Sequence, residues 1–190
     1  MSFLREDFNP ATGNKGYMKL GQGDNRFRIL SDAIDGYVYW LDKNGEVVTR
    51  GERGGEGAKP VRVKTLDDAM AKNTGAQYES KQFVAFVVWN YEDESAQILE
   101  LTQKTLIKAI NGLYRSEDWG DPKGYDIVIG KKGEKLETEY TVTPIPPKPF
   151  KEDIDVSGIN LEALYESGDP FLGYNAVTDE DYEKNIKNKF

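Results

Sequence analysis

One hairpin constrains this chain more than anything else in it. Residues 81–91 read Lys-Gln-Phe-Val-Ala-Phe-Val-Val-Trp-Asn-Tyr. Phe83 to Trp89 is apolar at every position, short, and rich in β-branched and aromatic residues. That combination marks a strand covered on both faces rather than a helix. Glu92–Ser95 is a polar turn, and Ala96–Leu101 returns with Ile98, Leu99 and Leu101 apolar. The pair predicts a central antiparallel hairpin around which the rest must be arranged.

Other strands follow by the same reading. In Asn25–Leu30, Phe27 and Ile29 alternate with Arg26 and Arg28, giving one apolar and one basic face. Gly36–Leu41 is dense in aromatics, and Asp42-Lys43-Asn44-Gly45 is a hairpin signal with Glu46–Arg50 as the return. Gly51–Lys59 carries four glycines and reads as a loop that could fold over a ligand. Pro60–Lys64 reads as an edge strand, Leu66–Ala71 as a helical turn and Lys72–Tyr78 as a loop. Leu106, Ile107, Ile110, Leu113 and Tyr114 recur at helical spacing within Thr102–Arg115, with Thr102 or Thr105 as cap. Ser116–Lys123 reads as a loop. Tyr125–Ile129 and Lys135–Thr143 form a last hairpin turned at Lys131-Lys132-Gly133.

About seven strands with one helix inserted before the last hairpin give a mainly β chain. The arrangement expected is an OB-fold-like antiparallel barrel with one inserted helix, followed by an acidic C-terminal extension. The divisions expected are an N-terminal arm over 1–16, the barrel over 17–143, a Pro-rich linker over 144–150 and an acidic tail over 151–190. Asn160–Glu166 is the one stretch of the tail that reads as helical.

Composition narrows the chemistry. The chain has no histidine and no cysteine. Disulfides, thiolate zinc sites, cysteine nucleophiles and imidazole bases are excluded, and any metal would need oxygen ligands. The expectation is a protein that is not an enzyme, with no cofactor. No apolar run is long enough for a membrane span, and Met1–Pro10 lacks the pattern of a signal peptide. A cytoplasmic location is expected. The net charge is −8, but residues 151–190 hold 4 Lys against 10 Asp and Glu. The body is therefore close to neutral, and its positive charge is gathered on a few strands.

Those strands interleave basic and aromatic residues. Arg26, Arg28, Arg62 and Lys64 lie on polar faces; Tyr37, Tyr39 and Trp40 lie between them; Trp89 and Tyr91 end the central strand; Lys131 and Lys132 mark the last turn. A single nucleic-acid strand is held by a positive groove and by base stacking on aromatic rings. The competing interpretation is structural, with the rings in the core and the basic residues on a solvated face. Alternation places Tyr37 and Tyr39 on one face and Trp40 on the other. Asp67 or Asp68 with Glu79-Ser80-Lys81 loosely matches a Mg²⁺ nuclease site, one alternative. A protein-interaction module without nucleic acid is the other. In the tail, Asp179, Glu180, Asp181 and the apolar Phe190 suit the docking of a partner protein, and the acidic charge suits competition with DNA for a basic groove.

Several segments in order resemble one family. These are Asn25–Leu30, Gly36–Trp40, Phe83–Asn90, Ile98–Lys104, Trp119–Pro122 with Tyr125–Ile127, and the Thr143-Pro144 junction. Together they look like the phage single-stranded DNA-binding proteins. More distantly the chain is similar to the helix-destabilising proteins of the T-even phages, whose zinc it cannot hold. The resemblance implies an OB fold that coats single strands in the infected bacterial cytoplasm during phage replication, recombination and repair. It also implies an acidic tail that docks replication or recombination proteins. By position it supports Arg26, Arg28, Tyr37, Tyr39, Trp40 and Trp89 as groove residues.

Overall fold

The computed structural model describes residues 16–49 and 56–174. Seven strands and three helices are present among them: β1 Gly23–Ile29, β2 Ile34–Leu41, β3 Lys59–Val63, α1 Leu66–Lys72, α2 Ala76–Glu79, β4 Lys81–Asn90, β5 Ser95–Leu101, α3 Lys104–Arg115, β6 Asp126–Lys132 and β7 Glu139–Pro144. All seven strands join one antiparallel sheet in the order β3-β2-β4-β1-β6-β7, with β5 on the other side of β4. The sheet is not closed, because β7 does not pair with β5. This mainly β arrangement, with a helix between β5 and β6, fits an OB-like fold.

β4 organises the sheet, as its apolar run requires. Its first half pairs with β2, Gly36 opposite Phe83, and its second half with β1, Arg28 opposite Trp89. The chain bends between β1 and β2, where the Ser31 hydroxyl accepts from the Val87 amide at 2.9 Å. One edge of a long strand thus serves two short ones.

The two faces of the sheet carry different cores. On one face Phe27, Ile29, Phe86, Val88, Leu99 and Ile127 pack beneath Leu106 and Ile110 of α3. Beside them Tyr39 and Val63 pack against Ala69 of α1 and Ala76 of α2. On the opposite face Phe83, Ala85, Val87 and Ile98 are covered by Ile159, Leu161 and Leu164 from the C-terminal part of the chain. Burying a Leu or Ile side chain stabilises by about 1.5–3 kcal/mol, so the covering segment is part of the fold.

Several local expectations change. The return expected over Glu46–Arg50 is short: an antiparallel bridge joins Leu41 to Val47, the Asp42 amide donates to the Glu46 carbonyl at 2.8 Å and the Val48 amide to that of Trp40 at 2.9 Å, while Arg50 lies outside the described residues; the Asp42 carboxylate organises the turn by accepting from the Asn44 and Glu46 amides. α3 begins after Gln103 with no side-chain cap, so neither threonine closes it. α1 is capped instead: Thr65 and Asp68 exchange side-chain-to-backbone hydrogen bonds in a reciprocal box. Lys135–Glu137 is a 3₁₀ turn, and the strand starts at Glu139. Leu161–Glu166, expected as helical, is a 3₁₀ helix whose start is capped by Asn160.

The expected tail divides in two. Residues 151–174 lie on the sheet, and Asp179, Glu180, Asp181 and Phe190 lie outside the described residues. So do residues 1–15 of the arm and most of the Gly-rich loop. Among the described residues no helix is long and apolar enough to cross a membrane.

Candidate nucleic-acid interface

β1 sets out the site by alternation. Phe27 and Ile29 go into the core beneath α3, so Arg26 and Arg28 must emerge on the opposite face. Register then brings their neighbours. Arg28 stands opposite Trp89 of β4 on one side and Asp126 of β6 on the other.

Asp126 is the hub. Its side chain is fully buried. Oδ2 accepts from Arg26 Nε at 3.0 Å and Nη2 at 2.5 Å; Oδ1 accepts from Arg28 Nε at 2.7 Å and the Tyr91 hydroxyl at 2.9 Å. Burial pushes the Asp126 carboxyl up, but the bonds from Arg26, Arg28 and Tyr91 together outweigh it and hold the group below its ordinary value. The reciprocal effect falls on Tyr91. Burial, then the bond to and charge of Asp126, push its phenol up to about 12.

The segment after β7 completes the cluster. Arg28 Nη2 donates to the Lys148 carbonyl at 3.0 Å and Nη1 to that of Lys123 at 3.5 Å. The Arg28 guanidinium lies 5.5 Å from the centre of the Phe150 ring, and Phe150 meets Trp89 edge-to-face at 6.2 Å. Arg26 stacks over Tyr91 at 4.8 Å. Arg28 is buried, whereas Arg26 remains 39% exposed. Trp89, Tyr91 and Phe150 are half-buried. The result is an amphipathic patch with one accessible guanidinium, three rings with accessible surface, and exposed Lys148 and Lys151 at its margin.

The expected residues therefore separate. Arg26, Trp89 and Tyr91 are brought together in this patch. Lys132, exposed at the end of β6, shares their face by alternation, whereas Lys131 points the other way and its amine donates to the Leu20 carbonyl at 3.4 Å. Arg28 belongs to the patch as a buried support and not as a surface cation. Tyr39 is removed from any surface: it is fully buried and its hydroxyl donates to Asn73 Oδ1 at 2.7 Å. Tyr37 shares the Tyr39 face, and Trp40 the opposite one, as alternation requires.

Arg62 and Lys64 lie on the patch's side of the sheet but are engaged. Arg62 Nε bonds Glu100 at 2.5 Å, and Lys64 pairs with Glu162 at 3.1 Å while lying 5.0 Å from the Tyr165 ring centre. Glu162 and Tyr165 belong to the segment covering this face. Residues 151–174 hold one Lys and six Asp or Glu, so most of the acidic excess of the last forty residues lies on the sheet.

Phe150 was not anticipated. Its only signal in the sequence is its place between two lysines, in Lys148-Pro149-Phe150-Lys151 after a proline run. Of the residues in the nuclease alternative, Asp67 and Asp68 lie in the first turn of α1 and Glu79 ends α2. Asp68 is engaged with the Thr65 amide at 3.2 Å, and among the described residues no group of three acidic side chains could hold a metal.

Over 178 residues the chain is 28% identical to a probable ssDNA-binding protein of Escherichia phage T5, a match covering 87% of this chain and 68% of that protein. No family model matches the chain, and no solved structure matches it.

Proposed function

We propose that this chain binds single-stranded DNA, largely without regard to base sequence, and that it does so without catalysis or cofactor. The observation that carries the reading is the patch of Arg26, Tyr91, Trp89 and Phe150, supported by the similarity to the phage T5 protein. An exposed guanidinium stacked on a ring meets a phosphate without losing its support. Half-exposed rings accept any base, because every base has a π-face. Lys132, Lys148 and Lys151 lengthen the positive path.

In this reading the chain coats single strands during phage replication, recombination and repair, in the cytoplasm of the infected bacterium. Residues 151–174 bound the DNA path on one side, since they already cover the rest of that face. Asp179, Glu180, Asp181 and Phe190 serve partner proteins of the replication or recombination machinery, and the acidic tail lowers DNA access.

Titration with oligo-dT, followed by tryptophan fluorescence, tests the proposal. Quenching is expected, with log affinity falling linearly against log salt by about 0.7 per neutralised phosphate. Unchanged fluorescence together with no mobility shift at low salt would reject it.

A further inference from the structure

A groove of about 520 Å³ opens on the α3 side of the sheet, away from the patch. Ile29, Phe86, Ile107 and Ile110 form apolar walls, and Tyr37 and Tyr114 stand at it from β2 and α3. Tyr114 is 61% exposed despite its size. Three carboxylates line the same groove, Asp32, Asp35 and Asp121, against one cation, Lys123. The Lys123 amine is already held, 2.5 Å from Asp32 and 3.7 Å from Asp121.

This chemistry repels phosphate and favours an apolar ligand carrying positive charge. The chain contains such a segment. Lys184–Phe190 has three lysines, no acid, and the apolar Ile186 and Phe190. Among the chain's other stretches outside the described residues, 1–15 is charge-neutral, 50–55 has two arginines against one glutamate but no apolar side chain, and 175–183 is acidic. Distance permits the contact. Ten Cα–Cα steps separate Tyr174 from Lys184 and reach roughly 35 Å when extended, and Tyr174 packs against the cluster containing Phe83, which also lines the groove. The C-terminal part of the chain already touches the groove wall, since the Tyr165 hydroxyl donates to the Asp35 carbonyl at 2.7 Å.

We propose that the groove between α3 and the β1–β2 bend seats the chain's own Lys184–Phe190 segment. Phe190 and Ile186 enter between Tyr37 and Tyr114, and the lysines meet Asp32, Asp35 and Asp121. A partner protein that takes Phe190 displaces it from this seat. The seat itself does not depend on DNA binding.

The absence of cysteine makes the test clean. In the full chain, Asn111→Cys in the groove is combined with Asn188→Cys, and disulfide formation is followed at low protein concentration. The control pairs Asn188→Cys with Thr143→Cys, which is exposed on the Arg26 face. The expected result is an intrachain disulfide at least ten-fold faster for the groove pair, slowed towards the control rate by Phe190→Ala and by high salt. Equal rates for the two pairs, insensitivity to Phe190→Ala, or cross-links formed only between copies would each overturn the proposal. No DNA enters the measurement, so its failure and that of the proposed function are separable.

Discussion

Arg28 and Asp126 face each other across β1 and β6 with Nε 2.7 Å from Oδ1, and both side chains are almost wholly out of solvent. Arg26 and Tyr91 satisfy the remaining capacity of the same carboxylate. A buried ion pair stabilises little by itself, but losing one partner leaves a charge stranded in a low dielectric.

Asp126→Ala is therefore expected to destabilise the protein by about 3–5 kcal/mol, read as a shift in the urea midpoint at constant slope. A loss under 1 kcal/mol would mean that Arg28 finds water or another acceptor.

The same cluster sets the pH limits. Asp126 is held below its ordinary value, so its contribution is present above the unfolded carboxylate pKa of about 4 and fades as pH falls through the lower folded value. Tyr91 is raised to about 12, so its contribution is present below the unfolded phenol value of about 10 and is lost as pH rises towards 12. Thermal melts across pH should lose stability at both ends. Phe in place of Tyr91 should remove the Tyr91 part of the alkaline loss; an unchanged alkaline limb would refute that assignment.

Phe150→Ala should lower oligo-dT affinity by about 1–3 kcal/mol, the worth of one stacked base, with little change in the unfolding midpoint. A chain carrying Trp40→Phe and Trp119→Phe, which leaves Trp89 as the only tryptophan, should keep the quenching signal. If quenching disappears with those two substitutions, DNA does not approach Trp89.

Lys132→Ala should weaken binding evenly across sequences and reduce the salt slope by about 0.7, one phosphate's share. Lys64→Ala, whose amine is paired with Glu162, should leave the slope unchanged. Equal effects of the two would indicate that the DNA path crosses the covered part of the face.

Leu164 is 2% exposed, under the covering segment. Leu164→Ala should cost about 2–5 kcal/mol, the usual range for a buried leucine. A neutral result would return residues 151–174 to the status of an appendage.

Much of the fold is legible because its signals are local. The run Phe83–Trp89 announces the central strand, and the spacing of Leu106, Ile107, Ile110 and Leu113 announces α3. Alternation alone separates Tyr37 and Tyr39 from Trp40. The site is legible only in part. Arg26 and Arg28 are alike in sequence, yet one keeps accessible surface and the other is buried, and nothing within ten residues of either distinguishes them.

The sequence by itself determined where most strands and the long helix lie, because side-chain period is a property of neighbouring residues. It also determined that no imidazole or thiol chemistry is open to the protein. Tertiary structure decided the rest. Ile154, Val156, Ile159, Leu161, Leu164 and Phe171 follow neither a two-residue nor a helical period. They became a cover only because the sheet offered a face of matching shape. Asp126, about a hundred residues away, holds Arg26 and Arg28 alike, and the Lys148 carbonyl and Phe150 ring, about a hundred and twenty residues away, engage Arg28 alone and make it the support. Such pairings arise from sheet register, and register is set by the whole sheet at once.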